Sequence, residues 1–592
     1  MKVLFVNLYD FTSSRASLPL GIQSLYLLLE NKSDFDAEIC DFNKLYDNNL
    51  LTDNNFQENI NDMANYIISR EAKIVSIYTM CNNYHIALLL CRELNKLKSD
   101  IFVILAGPQA TMVARETLMK YEYVNYIALG EGEDTILPIL QGIVNNNLDN
   151  VNGVAYRKHN GVIDINWDKT KFVDINKLEI FDIEEFYRDE EIINIEVGRG
   201  CPFHCSFCST KNFWCNNYRL KSVERIIQEL EFYIDKYQMK SFVFQHDLFT
   251  YNRKYIIKFC DEILERGIDI KWACSSRIDV INEEMISKMS LSGCNCIYFG
   301  IETGSQDIQD IINKNIKIEK VEETARLVKK YNIDSIFSFI YGFPSESEHD
   351  LNQTLQLIYK LKKIEAENKK VKNTIQLWPL NFLPGTEMGE EYKDKLIFQK
   401  TSRTDFSYNK YIDNEEVSRI ISNDKDVFIN YYNLPKNYSE RYMYLSPFIM
   451  GLFNNFYKYS TSSIDMIIEY YNGNILKMYD DILGCCLEQI TKFFNVKANK
   501  YKMKEEISIL FTIFETFLKK KDINILRPDV YEIFIFERDI FDFIHFEFEN
   551  KKIKNYHYNV YDFLSNQNIS LQKQNNCLKF IKDEYGARIQ KV

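Results

Sequence analysis

No stretch of the 592 residues approaches the run of about 18 apolar residues that a membrane helix needs. The opening Met1-Lys2-Val3-Leu4-Phe5-Val6-Asn7 is soon followed by Asp10 and Arg15, so no secretory leader is expected. A basic stripe is also lacking. Lys and Arg number 72 against 84 Asp and Glu, and the net charge of −12 disfavours a large nucleic-acid partner. Histidine is scarce: the chain has seven, and none precedes His85. No G-x-G-x-x-G follows the first apolar stretch, which argues against a dinucleotide there. Fourteen cysteines without a leader point to a reducing cytoplasm, where clustered thiols bind metal instead of pairing.

What is present reads as a globular chain of two to four domains, 46% hydrophobic and 26% charged. Residues 2–8 form a short buried strand. Further strands are predicted near 36–41, 73–79, 101–106 and 124–129. Helices are predicted near 20–30, 56–70, 84–97, 110–120 and 133–145. This alternation predicts a doubly wound parallel sheet over 1–149, whose ligand site lies at the carboxyl ends of the strands. Those ends carry Asp10–Pro19, Thr79–Asn83, Gly107-Pro108-Gln109 and Gly130-Glu131-Gly132-Glu133. The glycines permit close approach of a bulky ligand, and they also suit ordinary strand-to-helix turns. Residues 150–190 read as a linker, with a hairpin turning at Asn160-Gly161 and an acidic stretch over 179–191.

The next segment holds Gly198-Arg199-Gly200-Cys201-Pro202-Phe203-His204-Cys205-Ser206-Phe207-Cys208. Its C-x3-C-x2-C spacing supplies three thiolates, one short of the usual set for an iron–sulfur cluster. One iron is left open, as a catalytic zinc site keeps one position for substrate. A zinc site completed by His204 is the alternative, but no second C-x2-C pair exists to support it. Over 191–395 the alternation resumes. Strands are predicted near 192–197, 240–246, 270–275, 295–301, 334–341 and 373–380, with helices near 221–236, 253–266, 282–292, 319–331 and 348–363. Six such units make a partial (β/α)6 barrel. The cysteines, Asp247, Arg277, Glu302 and Tyr341-Gly342 all fall at its functional face.

With Pro19-Leu20-Gly21, Gly107-Pro108-Gln109 and Gly130-Glu131-Gly132-Glu133 ahead of the three cysteines, residues 1–390 resemble the cobalamin-binding-domain radical S-adenosylmethionine (radical SAM) family. The family often has His where this chain has Gln109. The resemblance implies a Rossmann-like cobalamin domain over 1–149, contacted by Thr79, Gly107, Pro108, Gln109, Gly130, Glu131 and Gly132. It implies a [4Fe–4S] cluster on Cys201, Cys205 and Cys208, with SAM chelating the open iron. Phe207 matches the family's aromatic near adenine, and Gly342 its glycine turn. Glu302 is the candidate for the ribose hydroxyls. Arg277 is a candidate for the methionine carboxylate, with a surface salt bridge as the alternative. Asp247, Ser276 and Thr303 are polar neighbours of SAM. The stretch Asp10–Arg15 stands where many cobalamin domains place a lower His ligand, so no His from that loop would reach cobalt. His85 is read as a solvated residue at a helix start.

Residues 396–592 carry helical spacing over 474–496, 504–520 and 530–549, and are expected to form a mostly helical domain. Cys215, Cys260, Cys274, Cys294 and Cys296 read as small buried hydrophobes. The resemblance implies an oxygen-sensitive C-methyltransferase acting through a 5′-deoxyadenosyl radical and methylcobalamin. Its substrate would be a peptide or a small natural product, and flavodoxin or ferredoxin would supply electrons. Rearrangement, cyclisation or oxidation with the same cofactors is the nearest alternative. A tRNA methylthiotransferase using Cys40, Cys81 and Cys91, and a non-catalytic cobalamin carrier or sensor, are further alternatives.

Overall fold

The computed structural model describes residues 1–9, 18–48, 55–183, 192–367, 370–399, 414–498, 503–523, 530, 533–535 and 538. The Asp10–Arg15 loop, residues 184–191 and most of 530–549 lie outside these residues. Two compact units result: Met1–Asn454 with Asn474–Tyr479, and Asn455–Gly473 with the described residues from Asp480 onward.

The first unit begins with a seven-stranded sheet of order β2-β1-β3-β4-β5-β6-β7. Its strands are β1 (Lys2–Asn7), β2 (Asp36–Asp41), β3 (Ile74–Tyr78), β4 (Phe102–Ala106), β5 (Tyr126–Ala128), β6 (Val154–Arg157) and β7 (Ile163–Asn166). β1 to β5 pair in parallel, each returning through helix. Val3–Val6 and Ile74–Ile77 are buried without a break, as strands covered on both faces must be. The order reverses between β1 and β3, which opens a crevice at their carboxyl ends. The β6–β7 hairpin pairs antiparallel with β5, so part of the segment read as a linker extends this sheet. The helix expected over 110–120 is two, Pro108–Met112 and Ala114–Lys120, separated at Val113 by a non-helical backbone (φ −118°, ψ 27°).

A second sheet follows chain order: β8 (Ile193–Glu196), β11 (Ser241–Gln245), β12 (Lys271–Ser276), β13 (Cys294–Glu302), β14 (Asp334–Tyr341) and β15 (Asn373–Pro379). Between β8 and β11 lies a small antiparallel ribbon, β9 (Gly198–Arg199) with β10 (Arg219–Leu220). All six strands of the large sheet are parallel, and among the described residues no ladder joins β15 to β8. The partial barrel is therefore an open arc. Four of its helices start on side-chain caps: Ser222, Asn252, Asn282 and Ser347 each accept a backbone N–H of the first turn. Phe244, Phe249, Phe259 and Trp272 interlock beneath β11 and β12, with ring centroids 5.2–6.3 Å apart.

Residues 415–438 pack against the helices of the first sheet. Arg92 pairs with Glu416 at 2.5 Å, and Lys120 with Asp424. In the second unit the described elements are helical, including Thr461–Tyr470 and Met503–Lys520. Phe456 stacks on Phe514 in its core at 5.4 Å.

Candidate active site

The carboxyl ends of both sheets open into one cavity of about 910 Å³. The first sheet contributes Tyr78, Met80, Gly107, Pro108 and the Gly130–Glu133 turn. The second contributes Glu196, Asp247, Ser276, Arg277, Gly300 and Glu302. Cys201, Cys205, Cys208 and Phe207 line the space between them.

The cysteine loop is tied down at several points. The Asp247 carboxylate accepts the Gly200 N–H and the Thr210 hydroxyl, both at 3.2 Å, so it braces the loop on either side of the thiols. Enclosure raises the Asp247 carboxyl above its usual range, against the pull of these two bonds. Backbone bonds join Ser206 to Ile312 and to Met388, each at 3.0 Å. Asn313 donates to the His204 carbonyl, while the His204 ring itself stays exposed. Gly200 adopts φ +86°, and a Cβ there would lie 1.9 Å from the Asn217 carbonyl oxygen, so the loop closes only with glycine. Burial pushes the Cys201 thiol up to about 11 and raises Cys205 as well, with Lys314 and Arg277 opposing at Cys205. Burial thus works against the thiolate form of Cys201 and Cys205, and a metal that binds them must displace their protons.

Glu302 ends β13 with φ 69°, next to a register shift between Gly300 and Glu302. Such bulges re-aim side chains beside active sites. Glu302 Oε1 accepts Lys314 Nζ at 2.5 Å, and the pair is buried. The Lys314 carbonyl in turn accepts Arg277 Nη2 at 2.7 Å. Arg277 is buried, forks onto Asp279 through two 2.9 Å bonds, and lies 3.7 Å above the Phe203 ring. The salt bridge foreseen for Arg277 exists, but it is a buried one on the cavity wall. Ser276 shares a 2.6 Å hydroxyl bond with Thr250. Phe207 meets Phe343 edge-on at 6.1 Å.

Four other sequence candidates lie off the cavity wall. Thr79 is buried and donates to Ala106 O at 2.8 Å. Gln109 turns the other way and donates to Val427 O at 2.8 Å. Thr303 faces Thr354 at 3.1 Å, and Gly342 donates to Glu346 at 2.6 Å. Glu131 lines the cavity, but its carboxylate is engaged by Arg219 and by the Val173 N–H. His85 is not solvated: it is buried, and its Nδ1 lies 3.0 Å from the Tyr431 hydroxyl because residues 415–438 cover its helix. Lys314, Arg199 and Arg219 stand in no motif of the sequence that marks them as part of a site. Only Arg199 left a trace, in its place between the two glycines before Cys201.

Among the described residues, no three His, Cys, Asp or Glu are gathered to hold a single ion. A lone zinc ion needs its thiolates to converge, whereas a four-iron cluster gives each thiolate its own iron. Three enclosed thiols on one cavity wall, with the cationic Lys314 and Arg277 nearby, fit such an anionic group.

The fold and site define a class: an enzyme-like pair of parallel α/β sheets sharing one cavity, with a three-cysteine loop between them. Residues 195–358 match the family model described as the Radical SAM superfamily, so the chain carries a radical SAM domain. An uncharacterised methyltransferase of Pyrococcus horikoshii is 28% identical over 350 residues, covering 58% of this chain and 73% of that protein. The anaerobic magnesium-protoporphyrin IX monomethyl ester cyclase of Rubrivivax gelatinosus is 26% identical, covering 52% of this chain and 57% of its own. The fold is that of the cobalamin-dependent radical SAM enzyme OxsB, solved with aqua-cobalamin bound (TM-score 0.59, 15% identity, 91% of this chain and 84% of that one). It also matches the methyltransferase TsrM of Kitasatospora setae, solved with cobalamin and a [4Fe-4S] cluster (TM-score 0.55, 14% identity, 76% and 94%). The radical SAM domain and the methyltransferase and cyclase among the relatives mark the chain as an enzyme, and no described helix is long and apolar enough to cross a membrane.

Proposed function

We propose that this chain is a cobalamin-dependent radical SAM methyltransferase, acting on an unactivated carbon of a small-molecule or peptide substrate. The observation that carries this reading is the single cavity, walled on one side by the glycine turns of a switch-point crevice and on the other by three thiols. When bound, the cluster supplies the electron that cleaves SAM, and cobalamin carries the methyl group.

Cys201, Cys205 and Cys208 hold the cluster, and the Asp247 brace fixes their loop. Glu302 keeps Oε2 free of Lys314, so that oxygen is the acceptor for the ribose hydroxyls. Arg277 is oriented by Asp279 and Phe203 and offers its guanidinium to the SAM carboxylate. Phe207 packs beside adenine. Gly107, Pro108, Gly130 and Gly132 give the corrinoid a close backbone surface. Thr79, Gln109, Thr303 and Gly342 act behind the wall, holding the turns that form it. No side chain is asked to serve as a base, because a radical abstracts the hydrogen. Flavodoxin or ferredoxin is the electron donor in this scheme.

A second reading keeps the same cofactors but cyclises, rearranges or oxidises the substrate without methyl transfer; the cyclase among the relatives favours keeping it. The deciding experiment is anaerobic reconstitution with iron, sulfide, cobalamin, SAM and a reductant. Formation of both 5′-deoxyadenosine and S-adenosylhomocysteine supports methyl transfer. Deoxyadenosine alone, with cobalamin bound, supports the second reading. A chain that retains no cobalamin overturns both.

A further inference from the structure

Two arginines and three carboxylates meet where the first sheet touches the cysteine loop. Arg199 and Arg219 face each other in register on the β9–β10 ribbon, one before the loop and one after it. The turn after β5 grips both. Glu133 takes Arg199 with two bonds, at 2.5 and 3.3 Å. Glu131 takes Arg219, with a second contact at 3.3 Å, and also lies 3.6 Å from Arg199. Glu196, at the end of β8, binds the other edge of Arg199 at 2.8 and 3.0 Å.

The Arg199 and Glu133 side chains are 5% and 6% exposed, so salt screens them little. Burial alone would raise the Glu133 carboxyl, but the charge and hydrogen bonds of Arg199 outweigh it and hold it below its usual range. A forked arginine pair fixes orientation as well as distance. A carboxylate committed in this way has little left to offer a cofactor.

We propose that Glu131 and Glu133 are positioning residues for the cysteine loop. They set its two stems from the first sheet, through Arg219 and Arg199. The turn that carries Gly130 and Gly132 is thereby fastened to the loop that carries the three thiols. The inference rests on the reading above in taking the loop as the cluster site and the turn as a cobalamin surface.

The test uses the full chain, loaded anaerobically with iron and sulfide and first without cobalamin. Electron paramagnetic resonance of the reduced cluster is recorded with and without SAM. The wild type gives one signal that shifts when SAM is added. Glu133→Gln and Arg199→Lys retain the iron load but give a broadened or multiple signal, and about fivefold or more SAM is needed for the shift. The double variant adds little beyond either single one, because both break one contact. If Arg199→Lys does not fold, Glu131→Gln loosens the other stem and gives the same readout.

Hydroxocobalamin is then titrated by absorbance. Its affinity in Glu131→Gln and Glu133→Gln stays within about threefold of wild type, since neither carboxylate is a ligand. Wild-type cluster signals in all variants would overturn the proposal. So would a loss of about tenfold or more in hydroxocobalamin affinity with the cluster signal unchanged. A wild-type chain that loads the cluster but binds no cobalamin overturns the functional reading of the first sheet, and the resonance arm still decides the positioning role. A chain that loads no cluster overturns both.

Discussion

Glu302 holds a backbone conformation that is costly for any residue but glycine: φ is 69° at the end of β13. A non-glycine residue in that region costs about 1–3 kcal/mol and persists where function needs its side chain aimed. Glu302→Gln should weaken SAM binding about tenfold or more and leave the iron content unchanged, measured by anaerobic calorimetry. Gly300→Ala should weaken it too. A Cβ at 300 would lie 2.5 Å from Glu302 Oε1 and 2.9 Å from Lys314 Nζ, displacing the pair without touching the cysteines. Unchanged SAM affinity in both would remove Glu302 from the site. His85 gives a pH prediction. Burial pushes it from 6.5 down to about 3, so above pH 6.5 neither the folded nor the unfolded state carries its charge. Below that, the unfolded chain takes a proton that the folded chain refuses, and stability falls by up to about 1.4 kcal/mol per pH unit. His246, pushed down to about 4 by burial, acts in the same direction. Thermal midpoints should therefore drop from pH 7 to pH 5, and His85→Gln should flatten the drop. Equal slopes for wild type and variant would contradict this.

At the scale of elements, the turn after β4 is the sharpest case. Gly107 has φ +104°, and a Cβ there would sit 2.4 Å from the Thr79 carbonyl oxygen. Gly107→Ala should lower stability by about 1–3 kcal/mol and reduce cobalamin retention. Gly21 lies in the helix Leu20–Lys32, and its Cβ would meet nothing within 4 Å. Gly21→Ala should leave stability unchanged or raise it, since alanine favours helix. Thermal shift separates the two. Nearly every strand and helix of the two sheets was legible in the sequence, because buried parallel strands are apolar runs and their helices keep a 3.6-residue period. The glycine turns and the cysteine loop were legible for the same local reasons. The sequence was less informative about where side chains point. Thr79 and Gln109 sit in the expected turns but face inward, a choice made by the residues 415–438 and 106–110 packed around them. Lys314, Arg199 and Arg219 were missed because each acts through a distant partner: Lys314 lies 12 residues from Glu302, and Arg199 lies 66 from Glu133.

At the scale of the molecule, the cavity is a property of neither sheet alone. The first sheet supplies a crevice at its switch point, the second supplies the mouth of an open barrel, and the arginine–carboxylate cluster fastens one to the other. A recess of about 710 Å³ shares Lys211 with the main cavity and is also lined by Arg115, Lys169 and Glu116, so basic side chains outnumber acidic ones there. Because the crevice does not depend on the thiols, replacing Cys201, Cys205 and Cys208 by Ala should abolish iron loading and SAM cleavage yet leave cobalamin bound, as read by absorbance. Loss of both together would mean that the first sheet has no site of its own. The most direct test of the shared cavity is electron paramagnetic resonance of one chain carrying both cob(II)alamin and the reduced cluster. Two groups in one cavity should broaden or split each other's signals through spin–spin coupling. Two unperturbed spectra that simply add, from a chain shown to hold both groups, would contradict the shared cavity.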